Sequence, residues 1–256
     1  PRIRLAFPPR SAALGWRAAV VGGVLMQALA TGGLLTVLIA TFREGPPLER
    51  NKGFKQIVSL LLVAAVALIG AQLAWCFGAV NSLGHGASLA IFPIVPQEMA
   101  VDLLLLGFIT AVSIAMSSRL FPLTFWMLLP QPRGLVIAAG LLAGGVALTI
   151  LNGLPINAAG SSALAALATA CYAAGILQGA WSVRVFHARK RIPDTQTPHR
   201  IWEDPAAVGV FFCYVWAVVA ALFLLLFALQ QAGMAVAVHL DAKSLARHAA
   251  GAGFMT

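Results

Sequence analysis

Residues 57–80 have the sequence IVSLLLVAAVALIGAQLAWCFGAV, which contains no acidic or basic side chain. As an α-helix this stretch would be about 36 Å long at a rise of 1.5 Å per residue. That length exceeds the roughly 30 Å hydrocarbon core of a lipid bilayer. The stretch therefore predicts a membrane-spanning helix, in which each backbone polar group is paired within the helix itself.

Comparable apolar runs recur along the 256-residue chain. Apolar residues make up 60% of the sequence and charged residues only 10%, which is not the composition of a soluble domain. The run Met99–Met116 contains one acid, Asp102, and a seventh run begins at about Ala246. The pattern predicts an all-α fold, a polytopic transmembrane helical bundle of about seven spans. The remaining runs are Ala18–Thr41, Leu135–Leu151, Ser161–Val183 and Ala206–Leu229.

The net charge of +9 is carried by residues that lie between the apolar runs rather than along one face. This distribution argues against a nucleic-acid partner and makes the lipid bilayer the expected surroundings. With segments assigned to alternate sides of the membrane, eleven Lys and Arg residues fall on one side and six on the other. The positive-inside rule places the richer side, which includes 43–55 and 184–204, in the cytoplasm. The N-terminus is then expected outside.

A shift of 146 residues aligns the first span with the fifth and the second with the sixth. The same shift places Gly107–Thr110 on Gly253–Thr256. This agreement predicts a parallel internal repeat of the kind found in membrane transporters. The first unit would be 1–158, with spans one to four, and the second 159–256, with spans five to seven. Because the second unit stops where the first continues, we expect the chain to be part of a longer protein.

Ionisable side chains in or near the spans are the first candidates for function, because such groups are costly in a membrane. Asp102 and His248 occupy matching positions in the two units, and His85 and His239 lie in loops on the same predicted outer side. The four side chains are typical of a shallow metal or cofactor site. In the alternative interpretation, Asp102 pairs with Arg247, and His85 and His239 are ordinary interfacial residues.

Other polar and thiol groups in the spans favour packing roles. Gln72 lies inside a run and predicts an interhelical hydrogen bond. Cys76, Cys171 and Cys213 stand singly in different runs, without metal-ligand spacing or a disulfide framework. The chain contains no phosphate-binding glycine loop, and no nucleophile set stands out. Whether the protein is an enzyme is left open.

Two groups of motifs resemble the NnrS family of membrane proteins. The first is Asp102–Thr110 followed by Met116–Pro122. The second is His239–Asp241 with Ala246–Ala249 and Gly253–Thr256. The resemblance implies a multi-pass protein of the bacterial cytoplasmic membrane that binds haem or copper and takes part in the response to nitric oxide.

Within this resemblance, His248 matches the family's histidine before Gly-Phe, whereas the first unit has Asp102 at that position. The resemblance thus implies His248 and His85 as cofactor-binding residues, and His248, His239 and Asp102 as metal ligands. The family's His-x-His-Glu-Met motif is missing, and Pro96–Met99 is the nearest sequence. The departure at Asp102 and the missing motif put full cofactor loading in doubt.

Three functions remain compatible with the sequence. The first is a haem- or copper-binding protein of nitric-oxide or respiratory redox chemistry. The second is a non-catalytic accessory subunit of a larger membrane complex, with other membrane subunits as partners. The third, ranked last, is a transporter in which Asp102 is the coupling group.

Overall fold

The computed structural model describes residues 10–44, 54–84, 94–125, 127–154, 161–187, 205–234 and 241–253. Every regular element within these ranges is helical. The α-helices are α1 (Arg10–Glu44), α2 (Phe54–Gly84), α3 (Ile94–Asp102), α4 (Thr110–Thr124), α5 (Pro132–Gly153), α6 (Ser161–Val183), α7 (Pro205–Gln231) and α8 (Ala242–His248). Two π-helical segments, Leu103–Ile109 and Ala249–Gly253, follow α3 and α8 directly.

Six helical stretches are long and apolar enough to cross a bilayer, which confirms the predicted polytopic membrane protein. They are Ala18–Val37, Ile57–Ser82, Val95–Thr124, Pro132–Gly153, Ser162–Val183 and Pro205–Gln231. The predicted seventh span is not among them. Within the described residues, this region consists of α8, with 7 residues, and a π-helical segment of 5 residues. Such a length is well short of the roughly 20 residues that a spanning helix needs.

The third span is longer than the sequence predicted. Hydropathy placed it at Met99–Met116, but the continuous helical stretch runs over Val95–Thr124. Its first turns contain Pro96, which lacks a backbone N–H group, and Glu98, which is charged. Proline is tolerated in the first turn of a helix, and Glu98 has cationic partners in the fold. The helix can therefore include both Pro96 and Glu98.

Small residues allow the central helices to approach closely. A Cβ added at Gly145 of α5 would lie 2.8 Å from Cδ1 of Tyr172 on α6, and one at Gly107 would lie 2.7 Å from Cβ of Ala67 on α2. No side chain larger than hydrogen fits at either position without rearrangement. Close packing through glycine is common where transmembrane helices cross.

Helix α1 packs at the edge of the bundle against α2. The side-chain amide Nε2 of Gln72 donates a hydrogen bond to the carbonyl of Val24 at 3.2 Å, which confirms the predicted interhelical role of Gln72. Large apolar side chains on α1, such as Leu25 and Leu29, point away from the other helices. In a membrane this face is in contact with lipid.

The π-helical segments begin at equivalent positions of the two predicted units. Leu103 and Ala249, the first residues of the two segments, are 146 residues apart. In the first segment, the backbone N–H and the side-chain hydroxyl of Thr110 both donate to the carbonyl of Leu105, five residues earlier. Short π-helical insertions are frequent at functional sites. The internal repeat and the division at residue 158 stay predictions.

Candidate functional site

Helix α8 packs against α7, and its long basic side chains reach α3 so that four charged side chains meet. Glu98 and Asp102 are four residues apart on α3, and Lys243 and Arg247 are four residues apart on α8. Residues at this spacing lie on one face of a helix, one turn apart. Two acids of one helix therefore face two bases of the other, and these four residues are called the charge cluster below.

Asp102 is the centre of the charge cluster. Arg247 donates from Nη2 and Nε to Oδ1 of Asp102 at 2.7 and 2.9 Å. The ammonium nitrogen of Lys243 lies 3.0 Å from the other carboxylate oxygen, Oδ2. Both oxygens of Asp102 are thus engaged by cations.

Glu98 forms the outer part of the cluster. Its Oε2 accepts a hydrogen bond from Lys243 at 2.5 Å, and its backbone carbonyl accepts one from Nη2 of Arg247 at 3.3 Å. The side chain of Glu98 is 45% exposed, whereas that of Asp102 is 15% exposed. The inner pair is therefore the more strongly shielded one, and an unpaired charge would cost more there.

The start of α8 is set by Asp241. Its side-chain Oδ1 accepts a hydrogen bond from the backbone N–H of Ser244 at 3.1 Å, which caps the first turn. An N-cap fixes where a helix begins. Because the register of α8 depends on that start, Asp241 also determines which face presents Lys243 and Arg247 to α3.

A polar cavity of about 460 Å³ opens beside the charge cluster, between the end of α3 and helices α5 to α8. Its wall combines the two acids of the cluster and Lys243 with hydroxyl, amide and aromatic groups. The other lining residues are Leu106, Thr149, Asn152, Ser162, Ala165, Ala168, Thr169, Tyr172, Leu224, Phe227, Gln231 and Asp241.

Several groups in the cavity wall have defined interactions. Oγ1 of Thr149 donates to the hydroxyl of Tyr172 at 3.4 Å, which links α5 to α6. The ammonium of Lys243 lies 5.8 Å from the ring centroid of Phe227, within the range of a cation–π contact. By contrast, Oδ1 of Asn152 is inaccessible to solvent and has no hydrogen-bond partner among the described residues. A buried acceptor without a partner is costly to the fold.

The predicted site residues are distributed unevenly over the structure. The alternative prediction for Asp102, pairing with Arg247, is confirmed. His248 is exposed on α8, and its Nδ1 lies 2.9 Å from the backbone carbonyl of Ser244. His85 and His239 lie outside the described residues. Among the residues that are described, no three His, Cys, Asp or Glu side chains are grouped to hold a metal ion.

Sequence reasoning missed Glu98, Lys243 and Asn152 as parts of the site. A signal was present for the first two, because acids spaced by four in one apolar segment and bases spaced by four in another predict a complementary pair of helices. Asn152 carried no such signal. Its role follows only from the packing of α5 against the cavity.

The fold and the site define this chain as a polytopic integral membrane protein with a charge cluster at the start of its third span and a polar cavity beside it. No protein-family model matches the chain, and neither curated proteins nor solved structures gave a match. The resemblance to the NnrS family therefore stays a prediction.

Proposed function

We propose that the protein is a membrane transporter that binds a small polar solute in the cavity between α3 and helices α5 to α8. The observation that supports this function is the 460 Å³ cavity, whose wall carries Glu98, Asp102 and Lys243 inside an otherwise apolar bundle. Charged residues within membrane spans are rare and commonly mark solute or ion pathways. The ion pairs alone would serve a structural subunit equally well, so the proposal rests on the cavity beside them.

The charge cluster provides the element that can respond to a solute. Its ion pairs join α3 to α8, and α8 is a short helix of 7 residues whose backbone packs against α7. A solute that competes for the carboxylates weakens these ion pairs when it binds. Solute binding would then be coupled to release of the Lys243 side chain from the two acids, while Arg247 keeps α8 joined to α3.

Transport is tested with the purified chain reconstituted in proteoliposomes. Solute uptake is measured directly, and charge movement is measured as a current after the proteoliposomes are adsorbed to a solid-supported membrane. The panel of solutes comprises small amines, amino acids, carboxylates and monovalent ions. Wild-type protein is expected to give a current or uptake with at least one solute, and Ala165→Phe, which fills the cavity, is expected to abolish it.

The matched control is Ala143→Phe, because Ala143 is exposed on the outer, apolar side of α5. This variant is expected to transport as the wild type does. Absence of uptake for every solute of the panel, in vesicles that contain folded protein, would refute the transporter function. Equal loss of transport in both variants would remove the cavity from the pathway.

Haem binding through His248 is the second candidate, and one observation favours it. The contact between Nδ1 of His248 and the carbonyl of Ser244 suits an Nδ1–H donor, which leaves the lone pair of Nε2 for a metal. A single exposed imidazole fits an axial haem ligand, and haem would supply redox chemistry. A copper ion needs further ligands, which the described residues do not gather around His248.

Haem binding is tested by the absorption spectrum and the iron content of the purified chain. A Soret band that disappears in His248→Ala but persists in His187→Ala would support the assignment. An unchanged band in His248→Ala would refute it, as would a colourless, iron-free protein after expression with added haem precursor.

A further inference from the structure

We propose that the position of the Lys243 ammonium is a binding site for primary alkylammonium ions, which Lys243 itself fills as a tethered occupant. A free ammonium of suitable size would displace it. If the transporter function proposed above holds, on which this extension rests, the solutes are small organic monocations with N–H donors.

The surroundings of the Lys243 nitrogen form a site for an ammonium ion. Oε2 of Glu98 accepts its hydrogen bond on one side, and Oδ2 of Asp102 lies 3.0 Å away on another. The ring of Phe227 faces the same nitrogen at 5.8 Å. Carboxylates and an aromatic ring are the groups that bind organic ammonium ions. The two carboxylates and the ring all belong to residues other than Lys243, so a free ammonium ion could contact the same three groups.

The charge and hydrogen-bonding character of the cavity favours a cation over an anion. Three carboxylates, those of Glu98, Asp102 and Asp241, line the cavity, whereas Lys243 is the only cation among its described lining residues. The described lining therefore has an excess of negative charge, which attracts a cation and repels a carboxylate or phosphate group.

Lys243, rather than Arg247, is the group that a solute can replace. Arg247 is held by three hydrogen bonds, two to Oδ1 of Asp102 and one to the carbonyl of Glu98, and it does not line the cavity. The Lys243 ammonium lines the cavity and is attached through a flexible four-carbon stem. It can therefore move away while the Arg247 ion pair keeps α8 on α3.

The test is chemical rescue of the purified full-length variant Lys243→Ala in detergent. Its thermal unfolding midpoint is measured with increasing methylammonium or propylammonium, and with tetramethylammonium and sodium as probes of equal charge. The amines are expected to raise the midpoint by several degrees in a saturable manner, since a ligand that binds only the folded state stabilises it. Tetramethylammonium, which has no N–H donor, is expected to have little effect.

Arg247→Ala is the matched control, because the same charge cluster loses a planar guanidinium instead of an ammonium. Guanidinium is expected to stabilise this variant more than methylammonium does, and the order should be reversed for Lys243→Ala. Folded Lys243→Ala that shows no amine-dependent shift would overturn the ammonium site. So would an equal effect of tetramethylammonium and methylammonium.

A folding failure of Lys243→Ala does not leave the site untested. The variant is then purified with either propylammonium or sodium chloride present throughout, each at about 50 mM. This concentration is well above a dissociation constant of about 1 mM, so a site of that affinity would be occupied. Folded protein obtained only with propylammonium supports the site, and no folded protein in either case counts against it. Rescue without transport in proteoliposomes would refute the transporter but keep the site. Transport without rescue would refute the ammonium site but keep the transporter.

Discussion

Removal of the Asp102 carboxylate should destabilise the protein more than any other single change in the charge cluster. In Asp102→Asn the side chain keeps its size, but Arg247 loses its charged acceptor at 2.7 Å and Lys243 loses its neighbour at 3.0 Å. Breaking one partner of a buried ion pair costs about 3–5 kcal/mol. Because the Asp102 side chain is 15% exposed and Glu98 remains near both cations, we expect about 3 kcal/mol, the lower end of that range.

The same reasoning gives a much smaller value for the outer acid. Glu98 is 45% exposed, and ion pairs in contact with solvent contribute only about 1 kcal/mol or less. Glu98→Gln is therefore the matched control, with the same chemical change on the same face of α3. Both variants are measured by unfolding in mixed micelles with an increasing fraction of dodecyl sulfate, followed by circular dichroism.

A double-mutant cycle separates the ion pair from other effects of the substitutions. Asp102→Asn and Arg247→Gln are measured singly and together, and we expect a coupling energy of about 2 kcal/mol, within the range for residues in contact. If the coupling energy is below about 0.5 kcal/mol, the effects of the two substitutions are additive within error. That result would refute the inner pair as a stabilising contact. An equal cost for Glu98→Gln and Asp102→Asn would refute the argument from exposure.

Three further predictions concern other parts of the fold. Gly145→Ala should lower the free energy of unfolding by about 1–3 kcal/mol through overpacking against Tyr172. Gly140→Ala, with nothing within 4 Å of its Cβ, should not destabilise; equal losses in the two variants would contradict the close contact. Asp241→Ala should cost about 1 kcal/mol through loss of the α8 N-cap, whereas Asp241→Asn should keep the cap; similar stability of the two variants would contradict the capping role. Gln72→Leu should make α1 more sensitive to limited proteolysis, since its hydrogen bond to α2 is lost; an unchanged cleavage rate would show that lipid and apolar contacts alone hold α1.

The membrane spans were predictable because hydropathy is a local property of the sequence. Ile57–Val80 and Ser161–Val183 differ from the observed spans by only a few residues. The start of the third span was not predictable in this way, because Glu98 reads as a loop residue until its partner in α8 is known. Local patterns cannot supply a partner that lies 145 residues further along the chain.

The candidate site was only partly predictable for a related reason. Asp102 attracted attention as an acid in an apolar run, and its pairing with Arg247 was one of two predicted outcomes. The cavity could not be predicted, because its wall combines residues from α3, α5, α6, α7 and α8. Its size depends on helix crossings, such as the contact of Gly145 with Tyr172, that periodicity does not specify.

The distance along the chain between the two halves of the charge cluster has a consequence for biogenesis. Glu98 and Asp102 leave the ribosome 145 residues before Lys243 and Arg247. At about 5–20 residues per second, that interval lasts roughly 7–29 s. During this time α3 has two acids without their bases, so it should remain near the bilayer surface or beside the insertion machinery. Only the synthesis of α8 supplies the two bases, so the acids of the third span should be neutralised late in the production of the chain.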